Sequence, residues 1–161
     1  MSEISFDFSA KVVLITGSSG GIGAVVAIRF AQTGAQVVVT GVCAEKVAEI
    51  SQKCDEVSPL KLKALQIVAD LSREEECRRL VQTTVQLFGK INILVTNVDV
   101  LWRHTINDSK YIEKYKHIME TNLDSVVYLV HFCAKYLSQT KGNVVINSAV
   151  EGIVEVSIES N

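Results

Sequence analysis

From Lys11 onward the chain alternates between two patterns of apolar residues. Short, nearly unbroken runs rich in Val, Ile and Leu lie at residues 12–15, 36–40, 63–68, 91–96 and 143–147, each bounded by a turn residue or a charge. Runs of that length with no polar face are the mark of strands buried on both sides of a sheet. Between them are longer stretches in which apolar side chains return every three to four residues, the period of a helix with one buried face. Strand and helix in alternation predict an α/β chain, a doubly wound parallel sheet of about five strands with helices on both faces.

The helices carry their own punctuation. The first is expected to open near Gly21 and run to Thr33, with Ile22, Val25, Val26, Phe30 and Ala31 inward and Gly34 closing it. Val47, Ile50, Cys54 and Val57 form the stripe of a second. Ser72-Arg73-Glu74-Glu75 reads as a capping box ahead of a third, with Leu80, Val81, Leu87 and Phe88 as its face and Gly89 as its end. A more polar helix is expected over residues 108–120. The last, from Asp124 to Gln139, carries Val127, Val130, Cys133 and Leu137 on one side and Tyr128, Phe132 and Tyr136 on the other. Apolar residues on two sides mean deep burial or a partner, so core packing and a homo- or hetero-oligomer contact both stand as readings.

Composition narrows the partners. With 161 residues the expectation is one domain over 1–161, and 48% apolar against 21% charged residues is enough apolar material for a real core. A net charge of -2 supplies no broad positive field, so nucleic acid is not expected as a partner. Cys43, Cys54, Cys77 and Cys133 form no C-x-x-C pair and read as reduced core thiols. Met1-Ser2-Glu3-Ile4 lacks the basic and apolar parts of a signal peptide, and no apolar run approaches the roughly 20 residues that cross a bilayer. The expectation is a cytoplasmic protein with no membrane contact.

The chemistry begins directly after the first strand. Thr16-Gly17-Ser18-Ser19-Gly20-Gly21-Ile22-Gly23 sits between that strand and the first helix, the context of a dinucleotide site. Gly17 suits the tight turn, Gly21 lets backbone approach a pyrophosphate, Gly23 lets the helix lie close to the strand, and helix-start N–H groups attract phosphate. The bland alternative is a glycine-rich loop with no ligand.

The spacing G-x-x-x-G-x-G resembles the glycine motif of the short-chain dehydrogenase/reductase family, and the resemblance continues in order along the chain. Asp70-Leu71 is similar to the family's aspartate that contacts the adenine ring, and Ile93-Leu94-Val95-Thr96-Asn97 to its fourth strand. Asn122, in Glu120-Thr121-Asn122-Leu123, resembles the asparagine leading into the long helix, and Lys141-Gly142-Asn143-Val144-Val145-Ile146 the fifth strand. The likeness runs from about Lys11 to Gly152. It implies a Rossmann-like unit binding NAD(P)(H), in an oxidoreductase that moves hydride between nicotinamide and a carbonyl or alcohol carbon. It implies cofactor contacts at Thr16, Gly17, Ser18, Ser19, Gly21, Ile22, Gly23, Asp70, Leu71 and Asn97, a relay position at Asn122, and no metal. Taken singly, Asp70 could simply end a strand and Asn122 cap a helix. The alternative function is a non-catalytic dinucleotide-binding or interaction protein derived from the family.

Cofactor choice turns on the end of the second strand, where a carboxylate would bind the ribose 2'-hydroxyl and repel a 2'-phosphate. Thr40-Gly41-Val42 carries none, which tilts the expectation toward NADP(H), with Ser18, Ser19 and Lys46 as phosphate contacts.

Several positions depart from the family pattern. Asp99 stands where the family has the glycine of Asn-Asn-Ala-Gly, adding bulk and negative charge near the cofactor phosphates. Ala149 stands where the family has its catalytic serine, and strand alternation would point the neighbouring Ser148 to the other face. None of Tyr111, Tyr115, Tyr128 and Tyr136 has a lysine four residues on, so the family's Tyr-x-x-x-Lys is not among these residues. The resemblance is therefore to a C-terminally truncated, degenerate member, incomplete relative to the family, with one sheet edge uncovered. In residues 151–161, Val154, Val156 and Ile158 alternate with Glu155, Ser157 and Glu159, the pattern of a short edge strand, with a frayed tail as the alternative. Trp102, Arg103 and His104 read as pocket lining or as plain surface.

Overall fold

Val12, Val13, Leu14 and Ile15 are all buried because their strand lies in the middle of a sheet covered on both faces. In a computed structural model describing residues 6–102 and 105–149, the order of elements is β1 (Val12–Ile15), α1 (Gly21–Gln32), β2 (Gln36–Gly41), α2 (Ala44–Val57), β3 (Leu65–Val68), α3 (Glu74–Phe88), β4 (Ile93–Thr96), α4 (Tyr111–Met119), a π-helical turn (Glu120–Asp124), α5 (Ser125–Thr140) and β5 (Asn143–Ile146). The five strands pair in parallel in the order β3-β2-β1-β4-β5. This is the expected α/β architecture.

Period-two alternation divides the core. Val13, Ile15, Val37, Val39, Ile93 and Val95 meet Ala24, Ala27 and Ala31 of α1 and Val47, Ile50 and Cys54 of α2. Leu14, Val38, Ile67 and Leu94, one residue out of step, meet Cys77, Leu80 and Val81 of α3 and Leu129, Cys133 and Leu137 of α5. A slip of one residue would exchange the two sets, so the register is held by both faces together.

Some helix faces differ from expectation. In α1 the buried line is Gly23, Ala24, Ala27 and Ala31, while Ile22 and Val25 are exposed, because small side chains bring the helix closer to the sheet than branched ones would. Leu87 of α3 is exposed, and the buried line there is Cys77, Leu80, Val81 and Thr84. In α5 the line is Ser125, Leu129, Cys133 and Leu137, leaving Val127 exposed. The aromatic flank Tyr128, Phe132 and Tyr136 packs against the core it shares with α3, and the Arg78 guanidinium lies 4.4 Å above the Phe132 ring.

At the sheet edges the two-sided burial expected of every strand is not met: β5 is exposed at all four residues, and in β3 only Ile67 is buried while Val68 is exposed. Val154, Val156 and Ile158 of the tail lie outside the described residues, as do Arg103 and His104.

Three of the four cysteines are core thiols. Burial pushes the Cys54 thiol up to about 11 and those of Cys77 and Cys133 up to about 12. Cys43 is the exception: it is half-buried at the start of α2, its Sγ donating to the Glu45 carboxylate at 3.1 Å. Thiolate is the reactive form, so at pH 8 a disulfide reagent should label Cys43 in the native protein and the other three only after denaturant is added. Mass spectrometry of the labelled peptides checks this; modification of Cys133 without denaturant would contradict the burial.

Candidate functional site

The chain runs outward from β1 through β2 to β3, then returns to place β4 on the other side of β1. The loops leaving β1 and β4 therefore part in opposite directions, and a crevice opens at the carboxyl ends of the strands. A cleft of about 900 Å³ occupies this position. All five strand ends contribute to it: Gly17 and residues 19–22 after β1, Gly41 and Val42 at β2, residues 69–71 after β3, 97–100 after β4 and 147–149 after β5. His117, Thr121 and Asn122 complete it from α4 and the π turn.

The glycine loop is held by close backbone contact. Gly17 has φ +61, and a Cβ there would lie 3.3 Å from the Val98 Cα. Gly23 packs directly on Gly17: a Cβ would overlap the Gly17 carbonyl oxygen and come within 2.7 Å of Asn97 Nδ2. Asn97 joins three loops. Its backbone N–H donates to the Thr16 hydroxyl at 2.9 Å, its side-chain N–H to the Gly17 carbonyl at 3.4 Å, and its Oδ1 accepts from Asn147 Nδ2 at 2.8 Å.

The residues expected to contact a cofactor fall into two groups. Gly17, Ser19, Gly21, Ile22, Asp70, Leu71 and Asn97 line the cleft, whereas Thr16, Ser18 and Gly23 do not. Ser18 is fully buried: its hydroxyl donates to the Ile15 carbonyl at 2.7 Å and accepts from the Thr40 N–H at 2.9 Å, and its own N–H donates to the Thr40 carbonyl at 3.0 Å. It stitches β1 to β2 and has no N–H or O–H left for a phosphate, contrary to expectation. Lys46 is also not among the lining residues. Ser19 faces the cleft and sits against Gly41, where a Cβ would overlap its hydroxyl.

Asp70 ends the β3 side of the cleft. Its Oδ1 accepts from the hydroxyl and the N–H of Ser72 at 2.7 and 3.1 Å, and these bonds, the hydroxyl's first, hold its carboxyl below the usual range. The imidazole of His117 acts on the same carboxyl electrostatically. Ser72 is thus not the cap of α3 that its sequence suggests; Arg73 takes that position, with no side-chain cap, because the nearer carboxylate captures the serine.

Asn122 lies in the π turn, an insertion that often marks functional positions. Its amide N–H groups donate to Asp99 Oδ1 at 2.8 Å and to the Val100 carbonyl at 2.9 Å, and its Oδ1 accepts from the Val100 N–H at 2.8 Å. The side chain fastens the loop after β4 to the helix, and Asp99 is part of that clamp. After β5, Ser148 and Ala149 both line the cleft. The strand ends at Ile146, so the alternation expected to turn Ser148 away does not extend to it.

His117, Thr121 and Asn147 were not legible as site residues. His117 belongs to the polar helix expected over 108–120, Thr121 stands beside Asn122 with no signal of its own, and a π turn has no sequence mark comparable to a glycine loop. Trp102, stacked on His117 with ring centroids 5.0 Å apart, adjoins the cleft through that residue.

The family model described as short chain dehydrogenase matches residues 11–161. The chain is similar to 11-beta-hydroxysteroid dehydrogenase A of Sesamum indicum, 30% identical over 145 residues that make up 90% of this chain and 41% of the relative. It is 31% identical over 153 residues to the glucose 1-dehydrogenase of Gluconobacter oxydans strain 621H, covering 91% of this chain and 55% of that one. Among solved structures it superposes on a short-chain type dehydrogenase/reductase from Mycobacterium marinum with a TM-score of 0.85 at 27% identity, covering 94% of this chain and 61% of the other. The chain spans roughly two-fifths to just over half the length of these curated relatives.

Proposed function

Since the chain belongs to the short-chain dehydrogenase family, we propose that its cleft binds the nicotinamide dinucleotide NAD(P)(H) as a single Rossmann-type unit. The observation that carries this is the packing of Gly23 on Gly17 beneath a cleft bordered by Gly21, where α1 begins. A helix start leaves its first amides without intrahelical partners, and the first turn of α1 has no acidic side chain to compete for them. These residues fit a pyrophosphate. When bound, the cofactor supplies hydride chemistry at its nicotinamide; the protein's part is to hold the dinucleotide across the strand ends, with Asn122 and Asp99 bracing the loop after β4.

The tilt toward NADP(H) rests on the missing carboxylate at Gly41 and Val42. Of the three expected phosphate contacts only Ser19 faces the cleft, and no Lys or Arg is among its described lining residues. We therefore place the two cofactors within about tenfold of each other, NADP(H) ahead.

The proposed catalytic state is incompetence of residues 1–161 in hydride transfer. Ala149 brings no hydroxyl, and Asn122 is occupied in its clamp. The second reading, a binding or interaction protein, is favoured by Asp99, a carboxylate on the cofactor cleft. Exposed Leu123 and Val127 beside the packed aromatic flank offer the surface for an oligomer through residues 124–139. No described helix is long and apolar enough to cross a membrane, and we propose a cytoplasmic setting.

The test joins binding to turnover. NADH and NADPH should each raise the melting midpoint at millimolar concentration, while absorbance at 340 nm stays constant with test aldehydes and ketones. A failure of both cofactors to protect the fold would remove the dinucleotide reading. Steady oxidation of NADPH, lost on Asn122→Ala, would remove the incompetence.

A further inference from the structure

The two edges of the sheet are finished differently. In parallel pairing, alternate residues of a strand turn both backbone groups toward the same neighbour. Ala69 donates to the Gly41 carbonyl at 3.0 Å, so β3 turns Ile67 toward β2 and Val68 outward. That outward carbonyl is taken: the Arg79 guanidinium donates to it at 2.6 Å while paired with Glu76. Charge on an edge strand is one of the ways in which sheets resist the addition of a further strand.

β5 carries no such guard. The N–H groups of Asn143 and Asn147 donate to the carbonyls of Asn92 and Thr96, at 3.0 and 2.9 Å. Asn143, Val145 and Asn147 therefore face β4, and Val144 and Ile146 turn their N–H and C=O to the open side. Among the described residues no strand lies beyond β5. Residues 142–149 contain neither charge nor proline, and Val144, Val145 and Ile146 are all exposed, so the edge is apolar on both faces of the sheet.

The segment Asn143-Val144-Val145-Ile146-Asn147 has nearly the same pattern in both directions. An interface between two copies related by a two-fold axis needs that self-complementarity. We propose that β5 pairs antiparallel with the β5 of a second copy, the two-fold axis passing at Val145. Asn143 then lies opposite Asn147 of the second copy, Val144 opposite Ile146, and Val145 opposite itself. Val144 and Ile146 exchange both backbone hydrogen bonds with their counterparts, which satisfies the groups that β4 leaves open. The two copies of Val145 meet at the closer, non-hydrogen-bonded site, with Cα atoms about 4.5 Å apart. Because the β3 edge is guarded by Arg79, the assembly closes at two chains. A contact built on one short strand is small, so the dimer belongs to the weak class of interfaces and forms at micromolar concentration.

Sedimentation of the full chain between about 1 and about 200 µM should show the mass rising from one chain to two. V145K sets like charges directly opposite each other at the axis, as does V145E, so each variant alone should associate at least about tenfold more weakly than the parent. Mixed in equal amounts, the two variants should form a heterodimer, because opposite charges then meet. Val145 is 50% exposed, so at about 1 µM each variant should melt within about 2 °C of the parent. A larger fall would mean that Val145 is packed within its own chain, and overturns the proposal. So does a parent that stays monomeric at the highest concentration, the result expected if Val154, Val156 and Ile158 of the same chain occupy the edge. Dimers that persist in both variants would move the contact to the surface at 124–139, and growth beyond two chains would show that the contact does not close; either result overturns the β5 pairing.

Discussion

Gly23→Ala is expected to lower dinucleotide affinity about a hundredfold, the largest effect of any single methyl group in the site. The added Cβ would overlap the Gly17 carbonyl oxygen and lie 2.9 Å from the carbonyl carbon behind it. Both are backbone atoms of a loop at φ +61, itself in close contact with Asn97 and Val98, so neither side can yield by a rotamer change. α1 has to move off the glycine loop, at about 1–3 kcal/mol in stability for overpacking of this kind. The same shift pulls the Gly17 carbonyl from Asn97 and removes α1's first amides from the position where phosphate would meet them. Gly20 is the control for stability: its backbone is extended and nothing lies within 4 Å of an added Cβ. Gly20→Ala should melt within about 2 °C of the parent while Gly23→Ala falls well below it. Equal melting and equal cofactor protection in the two variants would show that the close approach does not govern the site.

Asp99→Gly works in the opposite direction. Asp99 lines the cleft, and a carboxylate beside the negative charges of a pyrophosphate is repulsive by about 1 kcal/mol at 4 Å in a water-like medium, more where solvent is excluded. Its removal should tighten dinucleotide binding about five- to tenfold at low ionic strength, the gain shrinking in 0.5 M salt as screening takes over. Asn122 keeps both of its bonds to Val100, so the loop stays in place. Asp99→Asn separates charge from bulk: it keeps a side-chain partner for the Asn122 amide and removes the charge alone. If charge governs, both variants gain alike in a calorimetric titration; a gain in Asp99→Gly alone would assign the effect to volume. Loss of affinity in both would make Asp99 an attractive part of the site and reverse its role.

The legible parts of this molecule are those written in local pattern. The runs 12–15, 36–40 and 91–96 are apolar because their positions alternate between two buried faces, and the α/β order follows from that. The glycine loop is legible because only glycine meets the steric demand at Gly17 and Gly23, so composition and geometry are tied at single positions. Gly34 and Gly89 end their helices as expected, at φ +85 and +72.

Elsewhere a residue's role depends on what the fold brings beside it. Ser18 and Ser19 are identical neighbours, yet one stitches two strands and the other faces the cleft, a difference set by the approach of β2. Ser72 reads as a cap until Asp70 captures its hydroxyl. The exposure of Ile22 and Val25 follows from how closely an alanine face settles on the sheet, which depends on Ile93 and Val95, some seventy residues on. The apolar β5 is legible as a strand, but its exposure follows from its place at the sheet edge.

By itself, then, the sequence determined the alternation of elements, the parallel sheet and the glycine-built cradle after the first strand, because each depends on the period or the steric limits of contiguous residues. Only the tertiary structure decided which side chains face the cleft and that Asn122 and Asp99 form a clamp. Those outcomes come from contacts between residues distant along the chain, and no local pattern encodes which distant neighbour will arrive.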